Sequence, residues 1–147
     1  MQTFHASAAI LGTKGIVVGG PSRSGKTSLI RHLIEEWQRF DRYSAWIGDD
    51  QLILEKIGDA LLARTPDNIA GLAEQRGFGL VPIDHQLSAR IDLVVELIPS
   101  EAVQSMPERQ VDRYFGLVPA IQAPQSDLLY AASLIKTALA NKSGPIE

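Results

Sequence analysis

Eight residues, Gly20-Pro21-Ser22-Arg23-Ser24-Gly25-Lys26-Thr27, constrain this chain more than any other feature. They fit G-x-x-x-x-G-K-[ST] and stand where that pattern has physical meaning. The apolar run Ile16-Val17-Val18 before them reads as a strand. After them Leu29, Ile30, Leu33, Ile34 and Trp37 recur at three- and four-residue steps, the stripe of an amphipathic helix. Glycines let such a loop aim successive N–H groups at one phosphate, and the helix adds free N–H groups and the positive end of its dipole. In this setting Lys26 reaches the β- and γ-phosphates and Thr27 offers its hydroxyl to Mg²⁺. The ligand class is a nucleoside triphosphate, or another polyphosphate, with Mg²⁺.

The 147 residues suit one domain with a real core. Hydrophobic residues make up 45% and charged residues 21%, a globular rather than a disordered composition. With a formal charge of −3 and no dominant basic stripe, the electrostatic footprint of a nucleic-acid binder is missing. No cysteine occurs, which excludes disulfides and cysteine–zinc sites. The N-terminus lacks the pattern of a signal peptide, and no run of 18 apolar residues occurs. The expectation is a cytoplasmic protein with no membrane partner.

Thr3 to Leu11 reads as a strand, Gly12-Thr13-Lys14 as a turn and Gly15 to Gly19 as a second strand, paired as an antiparallel hairpin. A helix is expected from about Lys26 to Phe40, then a strand from Ser44 to Ile47 that delivers Gly48-Asp49-Asp50. Leu52 to Leu54 and Ala60 to Ala63 flank Gly58-Asp59 as a second hairpin. Thr65-Pro66-Asp67 reads as the start of a short helix, capped by Thr65, that runs into Glu74-Gln75-Arg76-Gly77-Phe78-Gly79. Ile91 to Ile98 is a clear strand closed by Pro99, residues 100–113 a loop with one helical turn, and Leu117 to Ile121 a strand. Ser126 caps a last helix with Leu128, Leu129, Ala132, Leu134, Ile135 and Leu139 on its apolar side; Lys142 to Glu147 reads as frayed. The class is α/β with several antiparallel hairpins.

Around the loop, phosphoryl transfer needs a metal-orienting acid and a group that orients or deprotonates the nucleophile. Asp49-Asp50 ends an apolar strand, and adjacent residues there point in different directions, one toward a metal and one toward an acceptor. An acidic β-turn explains Gly-Asp-Asp equally well. By themselves Glu74 and Arg76 read as a solvated helix end, His5 as a structural histidine on the preceding strand, and Arg113 as a surface arginine.

Together these pieces resemble HPr kinase/phosphorylase, the bifunctional bacterial serine kinase of the phosphotransferase system. His5 lies fifteen residues before the first P-loop glycine, as in that family. A strand ending in Asp-Asp follows the P-loop helix. The family signature Glu-Ile-Arg-Gly-Leu-Gly-Ile is matched by Glu74-Gln75-Arg76-Gly77-Phe78-Gly79-Leu80 at Glu, Arg and both Gly. Leu93-Val94-Val95-Glu96-Leu97 and then Asp112-Arg113 followed by a glycine complete the set, so the likeness spans nearly the whole chain.

The resemblance implies a P-loop kinase core of mixed β-sheet with flanking helices, of the HPr kinase and phosphoenolpyruvate carboxykinase kind. It implies that the single domain of residues 1–147 lacks the family's N-terminal domain. It makes Asp50 the base for the acceptor serine, Lys26 the stabiliser of the transferred phosphoryl group, and Thr27 and Glu74 Mg²⁺ ligands with Asp49 as helper. His5 falls near the phosphates, Arg113 matches the catalytic arginine, and Arg76, Gly77 and Gly79 belong to the loop that shapes the site for both directions. The donor is ATP, with pyrophosphate or inorganic phosphate as further substrates; the protein partner is HPr or its nitrogen-branch paralogue; the assembly is a homohexamer.

The chain departs from the family in three places. The segment around Trp37 to Ser44 is longer and that between Leu80 and Arg90 shorter. The late basic segment linked to dephosphorylation corresponds to Pro119-Ala120-Ile121-Gln122-Ala123-Pro124-Gln125, which has no arginine, so the phosphorylase activity is less supported than the kinase. Two rival readings remain: a small-molecule P-loop kinase, although residues 90–113 are poor in the arginines of a lid, and a nucleotide-binding regulator without turnover.

Overall fold

The computed structural model describes residues 2–141. Its centre is a six-stranded sheet in the order β11-β12-β10-β3-β2-β4. These strands are β2 (Ala6–Leu11), β3 (Lys14–Gly19), β4 (Ser44–Gly48), β10 (Leu93–Ile98), β11 (Gln110–Val111) and β12 (Pro119–Pro124). β3, β10 and β12 run parallel, β2 runs against β3, and β4 runs against β2. β3, β4, β10 and β12 therefore all end at one edge, where β2 begins. Everything attached to those ends meets there: the P-loop after β3, Asp49-Asp50 after β4, and His5 before β2.

Alternation along the strands builds two cores from one sheet. Ile16 and Val18 of β3 face helices α1 (Lys26–Arg39) and α2 (Leu128–Ala140), with Ala9, Leu93, Val95, Leu97 and Ala123. Val17 points the other way, with Ala8, Ile47 and Val94, toward a second sheet. That sheet has the order β1-β5-β6-β9, made of β1 (Thr3–Phe4), β5 (Leu52–Ile57), β6 (Ala60–Arg64) and β9 (Ser88–Arg90). Leu29, Ile30, Leu33 and Ile34 of α1 are at most 6% exposed, and burial of side chains of this size contributes about 1.5–3 kcal/mol each. The helix that starts at Lys26 and Thr27 is thereby fixed to the sheet.

The mixed sheet, the antiparallel hairpins and the flanking helices follow the sequence expectation, and several details differ. The first strand breaks at His5: Thr3 and Phe4 pair with Ile53 and Leu52 of the second sheet, and the chain crosses to the central sheet at Ala6. The helix expected after Thr65 is one 3₁₀ turn, Asp67–Ile69, that Thr65 does not cap. Gly71 then takes φ +78° with the His85 ring packed where a Cβ would stand, which ends the turn. β7 (Leu72–Gln75) and β8 (Gly79–Pro82) follow as a hairpin, so Glu74 lies on a strand.

The last helix is capped by Asp127, whose carboxylate accepts the Tyr130 N–H at 3.2 Å; Ser126 sits outside it at φ +61°. Its buried face is Ala131, Ala132 and Ile135, and Leu129 is 71% exposed. β12 begins at Pro119 rather than Leu117 because the Asp112 carboxylate takes the N–H groups of Leu117 and Val118. Residues 100–113 carry the expected turn, Ser100–Ala102, and the added short strand β11. Lys142 to Glu147 lie outside the described residues.

Candidate active site

The loop between β3 and α1 is wound through left-handed positions. Gly20 has φ +150°, Arg23 +65° and Gly25 +101°, and Ser24 N–H donates to Pro21 O at 3.1 Å. A Cβ on Gly20 would lie 2.7 Å from Ser24 Oγ and 3.1 Å from Leu97 Cβ, so only glycine fits the turn. α1 starts at Lys26 behind Gly25, an N-cap with no side-chain hydrogen bond, which leaves its first N–H groups to the loop. The Ser24 hydroxyl is buried and has no hydrogen-bond partner among the described residues.

Lys26 is 5% exposed. Its Nζ donates to Gly20 O at 2.9 Å and Pro21 O at 3.0 Å, and it stands 3.7 Å from Asp50 Oδ1. Two of the three ammonium protons thus hold the loop closed while the charge stays beside the carboxylate. Asp50, at φ +64°, turns its half-exposed side chain over the loop, and His5 Nδ1 lies 3.9 Å from the same oxygen.

Asp49 faces inward. Its Oδ1 accepts the hydroxyl protons of Thr27 at 2.7 Å and of Ser7 at 2.8 Å, and its Oδ2 accepts the Glu74 N–H at 3.0 Å. Thr27 has one hydroxyl proton and spends it on Asp49, so its lone pairs face away from that carboxylate and are free for a cation. The same carboxylate ties the β7–β8 hairpin to the P-loop through Glu74. No cluster of three or more His, Cys, Asp or Glu poised to hold a metal occurs among the described residues. Mg²⁺ does not require one, since it keeps several waters and takes one or two carboxylates with substrate phosphates. Thr27 and Glu74, both on the cleft wall, fit that pattern; Asp49 stands behind Thr27 and orients it.

Lys26, Thr27, Asp50 and Glu74 line an open cleft of about 710 Å³ that runs from the loop along α1, past Arg31, His32 and Glu35, to Gln75 and Arg76. Arg31 lies over the Trp46 ring, 5.7 Å from its centroid. Gly77 and Gly79, with φ +92° and +119°, shape the hairpin tip beyond Arg76. The expected residues His5, the P-loop, Asp49, Asp50, Glu74 and Arg76 therefore converge at one edge of the sheet.

Arg113 sits apart from the cleft wall. It donates to Glu96 Oε1 at 2.8 Å and to the Tyr114 hydroxyl at 3.3 Å, with its guanidinium 4.6 Å from the Tyr114 ring centroid. The hydrogen bond that Arg113 donates to Glu96 raises the Arg113 pKa further, and burial, then Glu96, pushes the Tyr114 hydroxyl up to about 12. The cluster borders the loop because Glu96 pairs with Gly19, where a Cβ would stand 2.8 Å from the Tyr114 hydroxyl. Sequence reasoning missed Ser7, Glu96 and Tyr114. Their signals were faint: a hydroxyl among alanines in a strand, and a lone carboxylate in Leu-Val-Val-Glu-Leu-Ile.

No family model matches the sequence, and no curated protein sequence matches it. Solved structures do match. The Hpr(Ser) kinase/phosphatase from Coxiella burnetii superposes with a TM-score of 0.77 over 96% of this chain and 95% of that one, at 22% identity. The fold is that of Hpr(Ser) kinase/phosphatase. A shared Hpr(Ser) kinase/phosphatase fold accounts for the order of the strands around the P-loop, while at this identity the chemistry rests on this chain's own residues. No helix among the described residues is long and apolar enough to cross a membrane.

Proposed function

We propose that the chain is an ATP- and Mg²⁺-dependent protein-serine kinase whose acceptor is HPr or its nitrogen-branch paralogue. The observation that carries this reading is the Asp50 carboxylate, held over the P-loop 3.7 Å from Lys26 Nζ, where a hydroxyl in line with a γ-phosphate would meet it. Asp50 takes the serine hydroxyl proton as the serine oxygen bonds to the γ-phosphorus and the bond to the β–γ bridging oxygen breaks. Lys26 stays beside the transferred group and offsets its charge. Mg²⁺, held by Thr27 and Glu74, would neutralise the phosphate oxygens. Positioning and electrostatics account for most of the rate.

The test is incubation of the purified protein with ATP, Mg²⁺ and each carrier, followed by mass spectrometry for phosphoserine. Transfer by the native protein supports the reading. Asp50→Asn should slow transfer about 10²–10⁴-fold, the range of a lost general base, and still bind MgADP. ATP bound without transfer to either carrier would overturn the reading in favour of a regulator, and ATP consumed with a metabolite in favour of a small-molecule kinase. The reverse assay, with phosphoserine carrier and inorganic phosphate, tests phosphorolysis, for which residues 119–125 supply no arginine. His5, 3.9 Å from the Asp50 carboxylate, and Arg113, the counterpart of the family's catalytic arginine, belong to the same proposal. A homohexamer in the cytoplasm is the assembly the reading carries with it, checked by light scattering.

A further inference from the structure

Ser7 is the one polar side chain of β2, fully buried in a run of alanines. Its hydroxyl donates to Asp49 Oδ1 at 2.8 Å and accepts the Asp50 N–H at 3.0 Å. A hydroxyl has one proton, so the direction of both bonds is fixed: with the proton on Asp49, only a lone pair is left for the Asp50 amide. Asp50 occupies a left-handed φ of +64°, a conformation unfavourable for a non-glycine residue unless its surroundings hold it there. A Cβ on Gly48, two residues earlier, would meet Leu52 and Thr65 within 3 Å, so the chain enters this turn with no freedom on that side.

We infer that Ser7 is a positioning residue that holds the Asp50 turn, and through it the Asp50 carboxylate, against Lys26. The inference rests on the proposed function, because Asp50 is the base only there. Asp49 does not depend on Ser7 in the same way, since it keeps Thr27 Oγ1 and Glu74 N–H as donors. Removal of the Ser7 hydroxyl therefore leaves the metal side of the site tied and frees the base. A β2 strand carrying alanine here would pack equally well, so packing alone does not call for a hydroxyl at this position.

The experiment is a double-mutant cycle on carrier phosphorylation with Ser7→Ala, Asp50→Asn and the pair. Ser7→Ala should lower kcat about 10- to 100-fold, as small misplacements of a reacting group do, with the KM for ATP changed less than about threefold. In the Asp50→Asn background the same substitution should cost less than about threefold, because its route to the chemistry is already gone. Amide exchange of Asp50 should accelerate about fivefold or more in Ser7→Ala, while that of Leu33 in α1 stays unchanged. An equal cost in both backgrounds, a rise in KM alone, or unchanged Asp50 exchange would overturn the role. Absence of transfer by the native protein overturns the functional reading and this role with it; transfer with additive losses overturns the role alone.

Discussion

The Asp112 carboxylate gives the sharpest structural test. It is 3% exposed, and both oxygens are spent on its own loop. Oδ1 accepts the N–H groups of Tyr114 at 3.0 Å, Phe115 at 2.7 Å and Gly116 at 3.2 Å; Oδ2 accepts those of Leu117 at 2.7 Å and Val118 at 3.0 Å. Asp112→Ala leaves four donors without an acceptor, since the Gly116 N–H keeps the Asp112 backbone oxygen at 3.1 Å. Phe115 is exposed and its N–H regains water, whereas Tyr114, Leu117 and Val118 are half-buried. Orphaned buried donors cost about 1–3 kcal/mol each, half-buried ones fall at the low end, and the costs are not additive, so the expected loss is about 2–4 kcal/mol. Asp112→Asn keeps the shape but turns an NH₂ group toward N–H donors, for a loss of about 2–3 kcal/mol. Against a domain stability of about 5–15 kcal/mol either change is large.

The pH dependence follows from the same contacts. Burial would push the Asp112 pKa up, but the amides of Phe115, Val118, Leu117 and Gly116 outweigh it and hold the carboxyl below its ordinary value of 3.8. A group depressed on folding stabilises fully above its unfolded pKa and loses that contribution as pH falls through the folded value. Native stability should therefore drop below about pH 4, and the Asn variant should lose that share of the slope. The assay is urea unfolding followed by the fluorescence of Trp37 and Trp46, at pH 7 and at steps below pH 5. A loss under about 1 kcal/mol in the alanine variant, or an unchanged acid slope in Asp112→Asn, would refute the account.

Two glycine substitutions separate fold from site. Gly20→Ala places a Cβ 2.7 Å from Ser24 Oγ in a left-handed turn, so ATP affinity should fall at least about tenfold by calorimetry, with the Tm lowered only slightly. Gly15→Ala drives a Cβ to 2.1 Å from the Arg90 carbonyl oxygen, backbone that has no room to move; unfolding should be easier by about 3 kcal/mol or more in urea, with activity per folded molecule retained.

Much of the architecture was legible because its causes are local. Ile16-Val17-Val18, the glycine loop and the apolar stripe of α1 act within a few residues of one another, so the strand, turn and helix follow from the sequence. The failures have equally definite causes. Thr65-Pro66-Asp67 carries a good helix start, but Gly71 at positive φ and the alternation of Leu72-Ala73-Glu74 turn the segment into a hairpin. Ser126 and Asp127 are both able caps, and only the path of the chain decides which carboxylate or hydroxyl faces the Tyr130 amide. Leu117 and Val118 have strand composition, but the buried Asp112 carboxylate, five and six residues earlier, consumes their amides.

The sequence by itself determined that this chain carries a P-loop: the loop, its lysine and its threonine are contiguous, and no partner is needed to give them meaning. The tertiary structure alone decided what stands around that loop. Asp49 could not be told from a turn residue until Ser7, Thr27 and Glu74 were seen to converge on it from three elements. Asp50 acquired its place by Lys26 through a left-handed turn tied to Ser7, a residue 43 positions away. Arg113, in the turn after β11, was drawn to Glu96 of β10 by an ion pair and to the hydroxyl of its neighbour Tyr114. A motif contained in eight residues carries its own geometry, whereas a site assembled from strand ends depends on which strands are neighbours, and that is set by the packing of the whole sheet.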